Sequence, residues 1–210
     1  MFRNELLFLS GLAAVIFVIV AGSATLALRA VHNDGKMVAE DSLPGLISAG
    51  EALSRIDENW FHCQRLLSLD SEQARLDFIN KITTNSSHPL WQQYRESIHA
   101  QQDQQLFEKM EADREGFLKI RGDYFQVVQK NSPESAAAFF ESHLSPAFDQ
   151  YRHSAIQIFL FSANLGSERA GRILHLSAWT PYALAGFCVM VLLIGAFVGF
   201  KASLGAFVRR

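Results

Sequence analysis

Arg55, Arg65, Arg75 and Arg152 each carry a planar guanidinium fork that matches a carboxylate, so anion binding is the first chemistry these residue types allow. The plain alternative at each is a solvated arginine paired with Asp or Glu on a neighbouring turn. His62, His88, His99, His143 and His153 raise metal or haem binding, but none stands in a compact ligand spacing such as HxxxH or CxxCH. His62 adjoins Cys63, yet successive residues of a helix point about 100° apart, so one helix does not aim both at one ion. Surface histidine is the simpler reading, and neither a metal nor another cofactor is expected. Asp113 fits either an exposed edge or a buried acid with a raised pKa. There is no nucleophile elbow, phosphate loop or ordered Ser/His/Asp set, which argues against an enzyme and leaves no catalytic residue to name.

The elements that must position these side chains are framed by two apolar runs. Residues 6–28 and 178–200 each give 23 positions without Asp, Glu, Lys, Arg or His. At about 1.5 Å per residue that is about 34 Å of helix, enough for the roughly 30 Å hydrocarbon core. A cleaved signal peptide is the rival for the first run, given Ala21-Gly22-Ser23-Ala24. That run is longer than a signal core of about 7–15 residues, and Arg3 is offset by Glu5. The hydrophobic 49% of the chain is concentrated at these ends. The two tails, 1–5 and 201–210, hold Arg3, Lys201, Arg209 and Arg210 against Glu5, while residues 29–177 hold 15 Lys or Arg against 20 Asp or Glu. The positive-inside tendency places both tails in the cytoplasm and residues 29–177 outside, with Trp179 and Tyr182 at the outer aromatic belt. An acidic outer domain speaks against nucleic acid as a partner. Cys63 in the outer domain and Cys188 in the second run cannot meet, so no internal disulfide is expected; Cys63 either bridges to a partner chain or fills a core.

Between the runs the apolar spacing alternates in threes and fours, the signature of helices. Leu46, Ala49, Leu53, Ile56, Trp60, Cys63 and Leu67 predict a helix over about 43–69, with Pro44 marking a new segment or a bend. Asp70, Ser71 and Glu72 cap a second helix over about 71–100, which the polar stretch up to Pro89 kinks or breaks. Leu106, Met110, Asp113, Phe117, Ile120, Tyr124 and Val127 predict a third over about 103–130. Asn131-Ser132-Pro133-Glu134 opens a fourth over about 133–177, whose seam is Leu144, Phe148, Tyr151, Ala155, Ile158, Ser162 and Leu165; Pro146 should bend it. The lengths predict an all-α protein, an antiparallel up-down four-helix bundle between two transmembrane helices. Ile156, Phe159, Leu160 and Phe161 spread apolar groups around most of the fourth helix, so Ile156, Phe159 and Phe161, with Cys63, are candidates for a dimer or partner interface; packing within one chain is the alternative.

Leu43-Pro44-Gly45-Leu46 entering the first helix and Leu144-Ser145-Pro146-Ala147-Phe148 inside the fourth, bracketed by two spans, resemble the four-helix-bundle ligand-binding domain of bacterial methyl-accepting chemotaxis receptors. The resemblance covers residues 1–200. It implies a periplasmic sensor in the inner membrane that forms a homodimer along its first and fourth helices, binds a small molecule near that interface and shifts its second span to signal inward. It also implies that arginines of the first helix grip an anionic ligand, with Arg65 the leading candidate, then Arg55, and Arg152 on the facing helix. Such receptors continue into a HAMP linker and a cytoplasmic signalling region, whereas the sequence ends ten residues after the second run, at Arg210. The signal is therefore expected to pass to a separate cytoplasmic or membrane signalling protein. A structural or accessory subunit of a larger membrane complex is the second reading, Gly186, Gly195 and Gly199 suiting close helix packing in either case, and a chain truncated from a longer receptor is the third.

Overall fold

The computed structural model describes residues 2–130 and 132–207, and all of its regular structure is helical. In chain order the helices are α1 (Phe2–Met37), α2 (Leu43–Arg65), α3 (Glu72–Thr84), α4 (His88–Glu96), α5 (Gln101–Lys130), α6 (Pro133–Phe139) and α7 (Ser145–Phe207). Two compact units divide the chain. One holds α1 with α7 from residue 168 onward, the other Val38–Ser167.

Proline explains the joints. It lacks an N–H and its ring presses on the carbonyl four residues earlier, which is Glu40 for Pro44 and Ser142 for Pro146. In both places the helix widens into a single π turn, Val38–Ser42 and Phe140–Leu144, that ends two residues before the proline. In the second, the Ser145 amide donates to the Phe140 carbonyl, one residue further back than in an α-helix. The chain thus keeps helical through each proline instead of stopping there. Pro89 acts differently. Asn85 leaves helical geometry at φ −82°, ψ 60°, and α4 restarts at His88 with the proline in its first turn. Of kink and break, the structure has the break. Ser71 and Ser132 cap α3 and α6 by accepting from the Ala74 and Ser135 amides, each at 3.3 Å.

In the unit Val38–Ser167, α2, α3 with α4, α5, and α6 with the first turns of α7 enclose one core. Trp91, Tyr94, Tyr124, Phe107, Leu66, Ile82, Met110, Leu144, Ile158 and Cys63 are its most deeply buried large side chains. The seam read for the fourth helix is buried from Leu144 through Ser162. On α2 the buried stripe is wider than the apolar spacing indicates, because Ser48, Asn59 and His62 lie inside it as well. The Trp60 ring stacks on Phe148 at 4.1 Å and 6° and on Phe140 at 4.8 Å and 24°, clamping α2 to the π turn and α7. Gly45 lets α2 approach α4, since a Cβ there would stand 3.0 Å from Ser97 Oγ and 3.4 Å from Tyr94 Cε2.

In the other unit, Phe17 and Phe187 pack at 5.7 Å, and Arg172 grips Asp34 through two hydrogen bonds of 3.0 and 3.1 Å. Arg172 holds the Asp34 carboxyl below the usual carboxylate range. Val18, Ile19, Leu192 and Leu193 are 64–71% exposed, a surface that water does not favour and lipid does. The helices of Ala14–Ser68 and Pro133–Phe197 are long and apolar enough to cross a membrane, and the apolar window of each is 0% buried.

Replacing Trp60 with Ala removes both stacks and leaves a cavity, so unfolding free energy should fall by about 3 kcal/mol or more. Denaturation of the chain in mild detergent measures it, and a loss below about 1 kcal/mol would show that the clamp is not structural.

Candidate functional site

The broken second helix creates a polar region in the core. An unbroken helix would satisfy its own backbone groups; here the chain between α3 and α4 presents free carbonyls and hydroxyls to its neighbours. From α2, Asn59 Nδ2 donates to the Asn85 carbonyl at 2.7 Å, Arg55 Nη1 donates to the Ser86 carbonyl at 3.0 Å, and Glu58 Oε2 accepts from Asn85 Nδ2 at 2.8 Å. From α7, the Tyr151 hydroxyl accepts from Trp91 Nε1 at 3.0 Å and lies 3.2 Å from Ser87 Oγ. Burial raises the Tyr151 pKa against the lowering effect of these hydrogen bonds, so it stays a neutral phenol.

Beside this node lies a cavity of about 30 Å³, lined by Ile56, Asn59, Thr83, Ser86, Ser87, Tyr151, Phe117, Leu118, Arg114 and Arg121. The two arginines stand seven residues apart on α5, two turns along one face. Arg121 lies 5.7 Å over each of the Phe117 and Phe125 rings. Its burial lowers its pKa, and Arg114 adds repulsion to that, while both arginines act electrostatically on Tyr151. An arginine nonetheless keeps its charge in a protein. Among the described residues no carboxylate forms a salt bridge with either, and Asn59 Oδ1, fully buried, has no hydrogen-bond partner.

The arginines singled out by sequence fall elsewhere. Arg55 is spent on the Ser86 carbonyl; Arg152 is paired with Asp57 through bonds of 2.7 and 3.2 Å. Arg65 is exposed, its guanidinium 5.2 Å above the Phe78 ring. Arg75 donates to the Val128 carbonyl at 2.9 Å. The structure therefore does not bring Arg55, Arg65 and Arg152 around one point, while Arg114 and Arg121, which apolar spacing alone passed over, share a cavity. Their seven-residue repeat flanking Phe117 was the available signal.

Cys63 has no exposed surface and accepts a hydrogen bond from Tyr124 at its carbonyl, 3.0 Å away; burial pushes its thiol up to about 12. Ile156, Phe159 and Phe161 are half-buried, Phe159 lying beside Gly50, and Leu160 is 45% exposed. His62 is buried with its Nε2 3.5 Å from Glu58 Oε1 and its ring edge-on to Phe78. Asp113 is half-buried, and its shift runs opposite to that of a raised-pKa acid. Burial pushes its pKa up, but hydrogen bonds from Lys109 at 2.8 Å, Ser154 at 2.5 Å and Gln150 at 2.6 Å outweigh it and bring it below the usual range. Asp103, which accepts from the Tyr94 hydroxyl at 2.6 Å, is raised by burial and by Asp41.

Residues 3–170 match a protein-family model described as a four helix bundle sensory module for signal transduction. No curated protein matches the chain.

Two predictions arise here. Asp113, with its folded pKa depressed, stabilises the fold above its unfolded value of about 3.9 and loses that contribution as pH falls through its folded pKa. Asp113→Asn should lower the melting temperature at pH 7, and the deficit should close in acid as the carboxylate becomes protonated in the folded chain; a deficit that persists unchanged in acid would contradict the ionic role. In a Cys188→Ser chain, Cys63 should react with maleimide only once the protein unfolds; rapid labelling of the native chain would show that it is not core.

Proposed function

The chain belongs to the family of four-helix-bundle sensory modules for signal transduction, and on that premise we propose that it is a membrane-anchored periplasmic sensor of chemoreceptor type. The match over residues 3–170 carries this reading. That family is sensory and not catalytic. In the proposed architecture the four helical stretches of Val38–Ser167 run up and down as an antiparallel bundle outside the inner membrane, and residues 6–28 and 178–200 are its two spans with both termini in the cytoplasm. The lipid-suited surfaces of α1 and α7 support the two spans, and Arg3, Lys201, Arg209 and Arg210 in the tails support this orientation.

Signalling then follows from continuity. Helix α7 runs from Ser145 to Phe207, and Pro181 does not end it, with Thr180 Oγ1 donating to the Leu176 carbonyl at 2.7 Å. A helix moves as a rod, so a small displacement imposed at its outer end is passed along its length. The sensor binds a small molecule, acts as a homodimer through the half-buried Ile156, Phe159 and Phe161 and the exposed Leu160, and biases a separate signalling protein. In this reading Arg65 is the first-helix arginine that grips the ligand, and its exposure supports that role.

Topology is tested by placing single cysteines at Asn164 and Ser203 in a chain with Cys63→Ser and Cys188→Ser. In intact cells Asn164→Cys should take up a membrane-impermeant maleimide and Ser203→Cys should do so only after lysis. Labelling of both from outside, or of neither, would end the two-span reading.

A further inference from the structure

Asp103 is an acid buried without a cation. It is 5% exposed in the first turn of α5, and among the described residues no lysine or arginine forms a salt bridge with it. Its partner is a buried phenol. The Tyr94 hydroxyl donates to Asp103 Oδ1 at 2.6 Å and lies 3.0 Å from Ser162 Oγ, so α4, α5 and α7 meet at one polar point. Tyr94 has a single proton to give, which makes Ser162 the donor of the second bond. Burial and then the Asp103 carboxylate raise the pKa of the phenol, and Tyr94 keeps its proton.

Burial opposes a charge on Asp103 most. Tyr94 favours the charge through its hydrogen bond, Asp41 adds repulsion from the π turn Val38–Ser42, where it is 6% exposed, and the exposed His99 between α4 and α5 favours it. The N-terminal amides of α5 favour it too. The balance holds the Asp103 carboxyl above the usual carboxylate range. Packing around this point has little slack: a Cβ on Gly45 would stand 3.0 Å from Ser97 Oγ, 3.4 Å from Tyr94 Cε2 and 3.8 Å from Ser162 Oγ, and one on Gly166 would stand 3.5 Å from Ser42 Cβ. The π turn and the start of α2 therefore rest on the same elements that hold Asp103.

We propose that Asp103 makes the chain a sensor of external acidity: by taking up one proton it removes the like charge that acts on Asp41, and the π turn Val38–Ser42 settles more closely onto α4 and α7. The carboxylate gains the proton, Tyr94 keeps its own, and the cluster loses one negative charge. A proton is then a stimulus in addition to a small molecule. The inference deepens the sensor reading and rests on it for its consequence in signalling.

The test is carboxyl-carbon NMR of the full chain in detergent, labelled with carbon-13 at the aspartate side chains and titrated from acid to neutral. One resonance should titrate above the ordinary aspartate value of about 3.9, vanish in Asp103→Asn, move to lower pH in Asp41→Asn and persist in His99→Gln. Asp103→Asn, neutral at every pH, should also melt at a higher temperature than the unaltered chain at pH 7, because a raised folded pKa destabilises the ionised fold, and the advantage should fade as pH drops toward about 3.9. At pH 7 the same variant should slow amide exchange over residues 38–48 several-fold and leave α6 unchanged. No such resonance, one that survives in Asp103→Asn, or one lost in His99→Gln would overturn the assignment. A titration indifferent to Asp41→Asn, or exchange that is unchanged or slowed equally in α6, would overturn the link to the π turn. The titration is read on the unaltered chain, so a variant that fails to fold does not shield the proposal. None of these results bears on the cysteine-labelling topology, which keeps failure of the proton site separate from failure of the sensor reading.

Discussion

The interaction on which the unit Val38–Ser167 depends is the buried hydrogen bond from Trp91 to the Tyr151 hydroxyl, shared with Ser87. It joins α4 to α7 at the point where the second helix is broken. A break in the middle of a helical protein exposes backbone groups that must be satisfied, and here α2 and α7 satisfy them from two sides. Asn59 and Arg55 take the carbonyls while Tyr151 takes the indole. Remove the phenol and a buried indole N–H is left without an acceptor, a penalty larger than the worth of the bond itself.

That polar node explains why the unit is not a uniformly apolar bundle of coils. Aromatic stacking around Trp60 supplies cohesion at the end near the second π turn. The Tyr94, Asp103 and Ser162 cluster ties α4, α5 and α7 elsewhere. Between them sits the cavity of Arg114 and Arg121. Buried polar networks rigidify only when complete, and this one is complete except at Asn59 Oδ1 and at the two arginines.

Much of the helical framework was legible because apolar residues recur in threes and fours, and the buried positions from Leu144 to Ser162 follow that spacing. The joints were less so. Proline foretold a disturbance at Pro44, Pro89 and Pro146, but whether it yields a π turn or a break depends on the neighbouring packing, which spacing does not encode. The site was least legible. Arg55 and Arg152 look like ligand residues until Ser86 and Asp57 are seen to occupy them. Arg114 and Arg121 stand outside the apolar spacing, and only the cavity they both line brings them together. Cys63, open in sequence to a bridging role, is core.

The most direct measurement is the distance between spin labels at Ser203→Cys in nanodiscs, by pulsed electron resonance. A sensor that pairs along its fourth helix should give one well-defined distance between two copies of the chain. Absence of dipolar coupling in the fully labelled chain would contradict the account.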